Sequence, residues 1–166
     1  MPSEPVLMSW PWRRQRRRKQ WSRIASWLLI GPALEGGSYA QLVREGVTHV
    51  IDLRAEASDS EAFMAGLGLD WLHIGVHDRA APSNSQLTQI AKWLDERSDP
   101  ESAVYIHCEG GVERSPTIAI ALLILKGKWL AEAEGLVMRS HPDAKPTPQQ
   151  REWLERLVRP FRGDIH

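Results

Sequence analysis

From residue 27 onward, short runs of hydrophobic residues alternate with stretches in which hydrophobic residues recur at helical spacing. The runs at 27–30, 47–53, 69–74 and 103–107 are short and rich in branched residues, so we expect them to be strands. Strands that alternate with helices are typical of a parallel sheet covered by crossover helices. The pattern therefore predicts an α/β fold with a central, mostly parallel sheet of about four to five strands flanked by helices.

Local signals place the helices between these strands. Helices are predicted at 38–45 and 60–65, each followed by a glycine, and a long apolar one at 116–125. Ser83 and Gln86 have the spacing of a capping box ahead of a further amphipathic helix. Thr147, with Pro148 and Gln150, predicts the start of a last helix that closes at Pro160.

Charge divides the chain into two unlike parts, although its 21 basic and 21 acidic residues cancel overall. The first 30 residues hold seven basic residues and one acidic residue, whereas the remainder holds 14 and 20. We therefore predict a basic arm rich in Trp and Arg at 1–26, one domain at 27–160 and a short tail at 161–166. A hydrophobic share of 42% over 166 residues suits one such core.

The most informative segment follows the predicted strand 103–107. It runs Cys108, Glu109, Gly110, Gly111, Val112, Glu113, Arg114 and Ser115, and then enters an apolar helix. Adjacent glycines between a strand and a helix allow backbone amides to converge on an anion, and the helix dipole adds positive charge at the same place. The same field favours a thiolate over a thiol. We expect Cys108 to be a nucleophile toward phosphorus and Arg114 to hold phosphoryl oxygens.

An acid is also needed, because a departing ester oxygen takes up a proton unless it is already a good leaving group. Asp78 follows the strand at 69–74, at the strand end where active sites of parallel sheets gather. Asp52 lies within a strand run and Asp70 at the start of one, so both are placed less well. Asp78 is therefore the predicted general acid, in the acid loop at residues 76–82.

The run from His107 to Ser115 resembles the His-Cys-x5-Arg-Ser signature of the dual-specificity group of the cysteine-based protein tyrosine phosphatase superfamily. This resemblance implies a three-layer fold, no cofactor and no metal. It assigns Cys108 as nucleophile, Arg114 as phosphoryl ligand, Asp78 as general acid and then base, and Ser115 as the group that assists breakdown of a phosphocysteine. His107 is expected to be structural. The substrate-binding loop would comprise Glu109, Gly110, Gly111, Val112, Glu113 and Arg114.

Three functions fit these residues. The first is hydrolysis of phosphotyrosine on proteins, with phosphoserine and phosphothreonine as further substrates. The second is the same chemistry on phosphoinositides or small metabolites, which Glu109 and Glu113 disfavour because they would repel a multiply charged headgroup. The third is a phosphate-binding module without turnover, against which the intact Cys108, Arg114 and Asp78 argue.

The arm permits several interpretations. Its tryptophans and its basic run at 13–19 suit an anionic membrane surface, and nucleic acid less well. A solubilising tail, or an arm folded onto the acidic body, fits equally. The lone cysteine excludes an internal disulfide and fits a reducing compartment, so we expect a cytoplasmic protein, for which the arm leaves peripheral membrane contact as one of these interpretations.

Overall fold

The computed structural model describes residues 20–97 and 99–158. They form strands β1 (Ser22–Ala25), β2 (Leu28–Gly31), β3 (Val47–Arg54), β4 (Asp70–Val76) and β5 (Ala103–His107). The helices are α1 (Gly36–Arg44), α2 (Glu61–Gly66), α3 (Asn84–Asp95), α4 (Arg114–Leu125), α5 (Leu130–Ser140) and α6 (Pro148–Val158). The predicted α/β class is confirmed, and the predictions for residues 1–19, 98 and 159–166 lie outside the described residues.

The five strands form one sheet in the order β1-β2-β5-β3-β4. Strands β2, β5, β3 and β4 run parallel to one another, and only β1 is antiparallel, as an edge hairpin with β2. Strand β5 lies in the centre of the sheet with every residue buried. Because parallel strands end at the same edge, the segments after β2, β3, β4 and β5 meet at one face of the domain.

Two hydrophobic clusters cover the two faces of the sheet. Helices α1 and α2 pack on one face through residues such as Leu42 and Met64. Helices α3 to α6 pack on the other around α4, which is buried on nearly all sides. An all-round apolar helix is expected only where other helices cover it, and α5 and α6 supply that cover. The result is the three-layer arrangement that the family resemblance implies.

Helix starts follow the predicted caps. Ser83 and Gln86 make both bonds of a capping box at α3. Thr147 and Gln150 make the same pair of bonds at α6. The described helices include none that is both long and apolar enough to cross a bilayer.

The fold also contains two elements that the hydrophobic pattern did not predict. Strand β1 lies inside the segment 1–26 assigned to the arm, so the sheet begins before the predicted boundary at residue 27. Trp21 is buried beside it and donates through Nε1 to Glu45. Helix α5 was likewise not predicted, and it packs against α4.

Candidate active site

The signature residues occupy the junction between the central strand and the central helix. Cys108 directly follows β5, and Arg114 is the first residue of α4. Both side chains are 2% exposed, and Cys108 belongs to the larger hydrophobic cluster. The loop between them, residues 108–114, is called the phosphate loop below. Its two ends are therefore fixed by two elements of the domain core.

Carbonyl groups of the phosphate loop are held by neighbours outside it. Glu109 O accepts from Ala33 N at 3.1 Å, Gly111 O from His141 Nε2 at 2.8 Å, and Val112 O from Lys145 N at 2.7 Å. In a trans peptide the carbonyl and the next N–H point to opposite sides. The N–H groups of residues 110, 112 and 113 therefore point away from these neighbours and stay free of them, as an anion-binding nest requires.

Gly111 makes this curvature possible. Its φ is +70°, in the left-handed region that disfavours side chains. A Cβ at this position would lie 2.5 Å from the carbonyl carbon of Gly31 and 2.7 Å from Pro32 N. The phosphate loop thus packs backbone against backbone on the end of β2, and no larger residue fits at position 111.

Ser115 sits beneath the nucleophile. Its Oγ lies 3.5 Å from Cys108 Sγ and 3.4 Å from Gly31 O, and the side chain is fully buried. This hydroxyl can donate to the sulfur, as the family role of Ser115 requires. The structure thus brings Cys108 and Ser115 together as predicted from the sequence.

Arg114 is held by a residue that the sequence analysis missed. Glu56 accepts from its Nη1 at 2.8 Å and from its Nη2 at 2.6 Å, and Val76 O accepts from Nη1 at 2.9 Å. These bonds from Arg114 lower the pKa of Glu56 to about 2, and the bonds to Glu56 raise the pKa of Arg114. Glu56 follows β3, the strand next to β5, so only the strand order could have pointed to it.

Asp78 reaches the same guanidinium from the acid loop. Its Oδ1 lies 3.6 Å from Arg114 Nη2, and its side chain is 70% exposed. The two competing aspartates lie elsewhere: Asp52 is buried and bound by Arg54, and Asp70 begins β4 at the opposite edge, near His49. Among these three aspartates, Asp78 is the one that faces the phosphate loop.

A buried charged network supports the strand ends behind the loop. Arg54 donates to Asp52 at 3.0 Å, to Asp59 at 3.2 Å and to Glu109 at 3.1 Å. Burial raises the pKa of Asp52, but the hydrogen bonds from Arg54 and from Asp59 N, together with the nearby His107, outweigh burial and leave this pKa below its ordinary value. His107 joins the network through Asp59 at 2.6 Å and bonds the carbonyl of Cys108 through Nδ1 at 3.1 Å. His107 thus has the structural contacts expected of it.

The same network contains the one trio of described residues whose spacing could hold a metal ion. Ligand atoms of Asp52, Asp59 and His107 lie within 4.8 Å of one another. However, the guanidinium of Arg54 already donates to both carboxylates. This cation satisfies the carboxylates, so the donor set does not fit a resident metal.

The side chains of the two glutamates of the phosphate loop pair with arginines outside the loop. Glu109 pairs with Arg54, and Glu113 pairs with Arg79 of the acid loop at 3.1 Å. Any contact of these residues with a phosphoryl group would therefore run through their backbone amides. The repulsion that the sequence analysis expected from both side chains is partly offset by these arginines.

Comparisons with known proteins agree with this geometry. Residues 32–128, more than half of the chain, match a family model described as "Polymorphic toxin system, DSP-PTPase phosphatase". The chain is 30% identical over 125 residues to mouse dual specificity protein phosphatase 13B, covering 72% of this chain and 63% of that protein. It is 28% identical over 123 residues to the phosphatidylglycerophosphate phosphatase PTPMT1 of Arabidopsis thaliana, covering 72% of this chain and 36% of that protein. The chain thus spans less than two thirds of the length of either relative.

A solved structure supports the same relationship. The structure titled "Crystal structure of Tk-PTP in the active form" superposes with a TM-score of 0.74 at 30% identity, covering 83% of this chain and 95% of that one. Its match extends well beyond the signature, because it covers most of this chain. With the strand–loop–helix geometry around Cys108, these matches place the chain in the DSP-PTPase phosphatase family.

Proposed function

We propose that the chain hydrolyses phosphomonoesters through a phosphocysteine at Cys108. The observation that carries this proposal is the arrangement of the phosphate loop, whose amide N–H groups point away from its outward-bonded carbonyls while Cys108 Sγ and Arg114 stand at its two ends. Such an arrangement stabilises the charge that spreads over phosphoryl oxygens in the transition state. A phosphate-binding module without turnover would not require the acid, the nucleophile and Ser115 together.

Arg114 is oriented for this task by the contacts it already makes. An arginine carries five N–H donors, and Glu56 and Val76 O take both donors of Nη1 and one donor of Nη2. The remaining donors lie at Nε and Nη2, on one side of the guanidinium. Two phosphoryl oxygens fit that side in the bidentate geometry that arginine prefers.

The reaction then proceeds in two displacements. The thiolate of Cys108 attacks phosphorus, the phosphorus–ester oxygen bond breaks, and the carboxylic acid of Asp78 gives its proton to the departing oxygen. Asp78, now a carboxylate, takes a proton from water as that water attacks phosphorus. The sulfur–phosphorus bond breaks, the sulfur leaves as a thiolate that Ser115 stabilises, and inorganic phosphate is released.

Charge around the phosphate loop favours a substrate with one phosphate group. In the part of the chain that the structure describes, the Arg–carboxylate pairs around the phosphate loop involve three arginines and six carboxylates: Arg54, Arg79 and Arg114, with Asp52, Glu56, Asp59, Asp78, Glu109 and Glu113. Carboxylates outnumber arginines two to one, so a headgroup with several phosphates meets net repulsion. We therefore propose phosphorylated proteins as substrates, with phosphotyrosine first and phosphoserine or phosphothreonine next.

A lipid or small-metabolite phosphate is the second candidate. Similarity to a protein named phosphatidylglycerophosphate phosphatase supports it. Arginine pairing of Glu109 and Glu113 also removes part of the expected repulsion. A lipid with a single terminal phosphate monoester beside its phosphodiester meets less repulsion than a polyphosphorylated inositol, so it suits both observations better.

A substrate panel separates these candidates. Catalytic efficiencies would be compared for phosphotyrosine, phosphoserine and phosphothreonine peptides, for phosphatidylglycerophosphate and for phosphoinositides, with Cys108→Ser as the inactive reference. We expect phosphotyrosine peptides to be best and polyphosphorylated inositides to be worst. Higher efficiency on phosphatidylglycerophosphate would move the assignment to the second candidate, and turnover by Cys108→Ser would remove the nucleophile.

We further propose a cytoplasmic protein whose basic arm contacts anionic membranes. Support comes from the basic run at 13–19 and from the position of Gln20, whose carbonyl lies beside Gly31 at the edge that carries the phosphate loop. The test uses the full chain with the six basic residues of 13–19 replaced by glutamine, which leaves β1 intact. Sedimentation with vesicles containing phosphatidylserine should fall in that variant, and equal sedimentation of both proteins would contradict membrane contact.

A further inference from the structure

We propose that Arg79 and Glu113 form a latch that joins the acid loop to the phosphate loop and so positions Asp78 for proton transfer. This inference rests on the proposed phosphatase function and deepens it. It concerns how a general acid on the surface is held over a nucleophile in the core. Arg79 and Glu113 are positioning residues in this account, because their side chains act through Asp78 and not on the reacting atoms.

The side chain of Asp78 makes few contacts that would fix its position. Its side chain is 70% exposed, and its contact with the site is the 3.6 Å approach to Arg114 Nη2. An exposed carboxylate at that separation retains much of its freedom, so the place of Asp78 depends on the backbone that carries it. The next residue, Arg79, bonds Glu113 at 3.1 Å between Nη1 and Oε1.

The backbone at Arg79 is held in an unusual conformation. Its φ is +62°, and among residues 20–97 and 99–158 it is the one non-glycine residue in the left-handed region. Such a conformation persists where surrounding contacts determine it. Those contacts are present: Thr147 Oγ1 donates to Arg79 O at 3.1 Å, and Gln150 Nε2 donates to Ala80 O at 3.0 Å.

The acid loop is therefore gripped from two directions. The capping residues of α6 hold its carbonyls, and Glu113 holds the Arg79 side chain. Glu113 also belongs to the phosphate loop, where its N–H points into the nest because Val112 O is bonded outside to Lys145 N. One residue thus links the group that binds phosphate to the segment that delivers the proton.

Position 79 has an arginine, although a glycine there would relieve the strain of the positive φ. Glycines occupy the other positive-φ positions of the described chain, at 46, 68, 111 and 127. An arginine at position 79 keeps the strained backbone and adds a cation that reaches Glu113. The side chain of Arg79 is 70% exposed and that of Glu113 is 22% exposed, so the pair is partly screened by solvent.

The expected effect is accordingly small and selective. An exposed ion pair changes an equilibrium constant by up to about fivefold. Breaking the Arg79–Glu113 pair should therefore lower the population of molecules with Asp78 aligned by no more than about this factor. The loss should fall on kcat for esters with poor leaving groups, since only these depend strongly on the acid. Activated esters and KM should change little.

The experiment compares Arg79→Gln with Arg79→Lys, which keeps the charge and the same backbone strain. Both would be assayed on phenyl phosphate and on p-nitrophenyl phosphate, together with Glu113→Gln and the double variant Arg79→Gln/Glu113→Gln. The matched control is Arg156→Gln, which breaks the exposed Arg156–Glu152 pair on α6. Melting temperatures would accompany each assay.

We expect Arg79→Gln and Glu113→Gln each to lower kcat on phenyl phosphate by about two- to fivefold. The double variant should be no slower than the slower single variant, Arg79→Lys should retain most activity, and Arg156→Gln should match the wild type. Additive losses, equal losses on both esters, or a rise in KM alone would overturn the latch. Absence of turnover in the wild type on every ester would instead defeat the proposed function, so the two failures are distinguishable.

Discussion

The phosphate loop and the acid loop meet at one guanidinium but are built in opposite ways. Cys108 and Arg114 are almost completely buried, and three bonds from outside hold the carbonyls of the phosphate loop. Asp78 stands on a surface loop and is 70% exposed. The nucleophile is thus preorganised by the core of the domain, whereas the acid is placed by contacts at the surface.

Because the phosphate loop is buried and the acid loop is exposed, substitutions in the two loops should affect stability and proton transfer differently. Changes that disturb the backbone packing of the phosphate loop should damage folding and catalysis together, because the same packing serves both. Changes in the acid loop should leave the fold intact and alter only the reactions that need a proton. The following predictions test that separation.

The largest effect is expected from Asp78→Asn. Removal of the general acid should slow phenyl phosphate hydrolysis by about 10³-fold and p-nitrophenyl phosphate hydrolysis far less. The melting temperature should stay near that of the wild type, since the side chain is exposed. Steady-state kinetics on both esters measures this, and an equal slowing of the two esters would mean that the proton comes from elsewhere.

Gly111→Ala tests the packing of the phosphate loop. A Cβ at Gly111 meets the Gly31 carbonyl carbon at 2.5 Å in addition to the strain of a positive φ, so we expect a loss of about 3 kcal/mol in the free energy of unfolding. Gly68→Ala is the matched control, because its φ is +73° and nothing lies within 4 Å of the added carbon. That control should lose about 1 kcal/mol. Similar losses in urea denaturation of both variants would show that the close approach to Gly31 is unimportant.

Glu56→Gln tests whether the ion pair between Glu56 and Arg114 stabilises the fold. The pKa of Glu56 is about 2 against an ordinary 4.5, so its ionised form contributes stability above pH 4.5 that is lost as pH falls toward 2. Allowing for its 43% exposure, we expect Glu56→Gln to cost about 1 kcal/mol at pH 7 and less at pH 3. Denaturant unfolding at the two pH values measures this, with Glu152→Gln as the surface control. If the difference in free energy of unfolding between the wild type and Glu56→Gln is as large at pH 3 as at pH 7, ionised Glu56 does not stabilise the fold through Arg114.

The sequence predicted what depends on neighbouring residues. The capping boxes at Ser83 and Thr147 and the glycine-rich turn after β5 are local signals, and each is found where it was expected. The buried strands were predicted from short apolar runs in the sequence. Recognition of the family followed from one uninterrupted stretch, His107 to Ser115.

Other features depend on the assembled sheet and left no local signal. Strand β1 has four residues, contains Arg23, and gains its partner only when β2 folds back beside it. Helix α5 carries Gly135 in its interior and is stabilised by packing against α4. Glu56 lies 58 positions from Arg114 and meets it because β3 and β5 are adjacent.

The central claim is that the phosphoryl group passes through Cys108, and trapping the intermediate tests it most directly. Ser115→Ala should slow breakdown of the phosphocysteine, so acid quenching during turnover of p-nitrophenyl phosphate should leave phosphate on the peptide that contains Cys108. Mass spectrometry of the digested protein would detect it, with Cys108→Ser as the blank. The account predicts phosphate on Cys108 alone. Continued turnover with an unmodified Cys108, or phosphate on another residue, would contradict it.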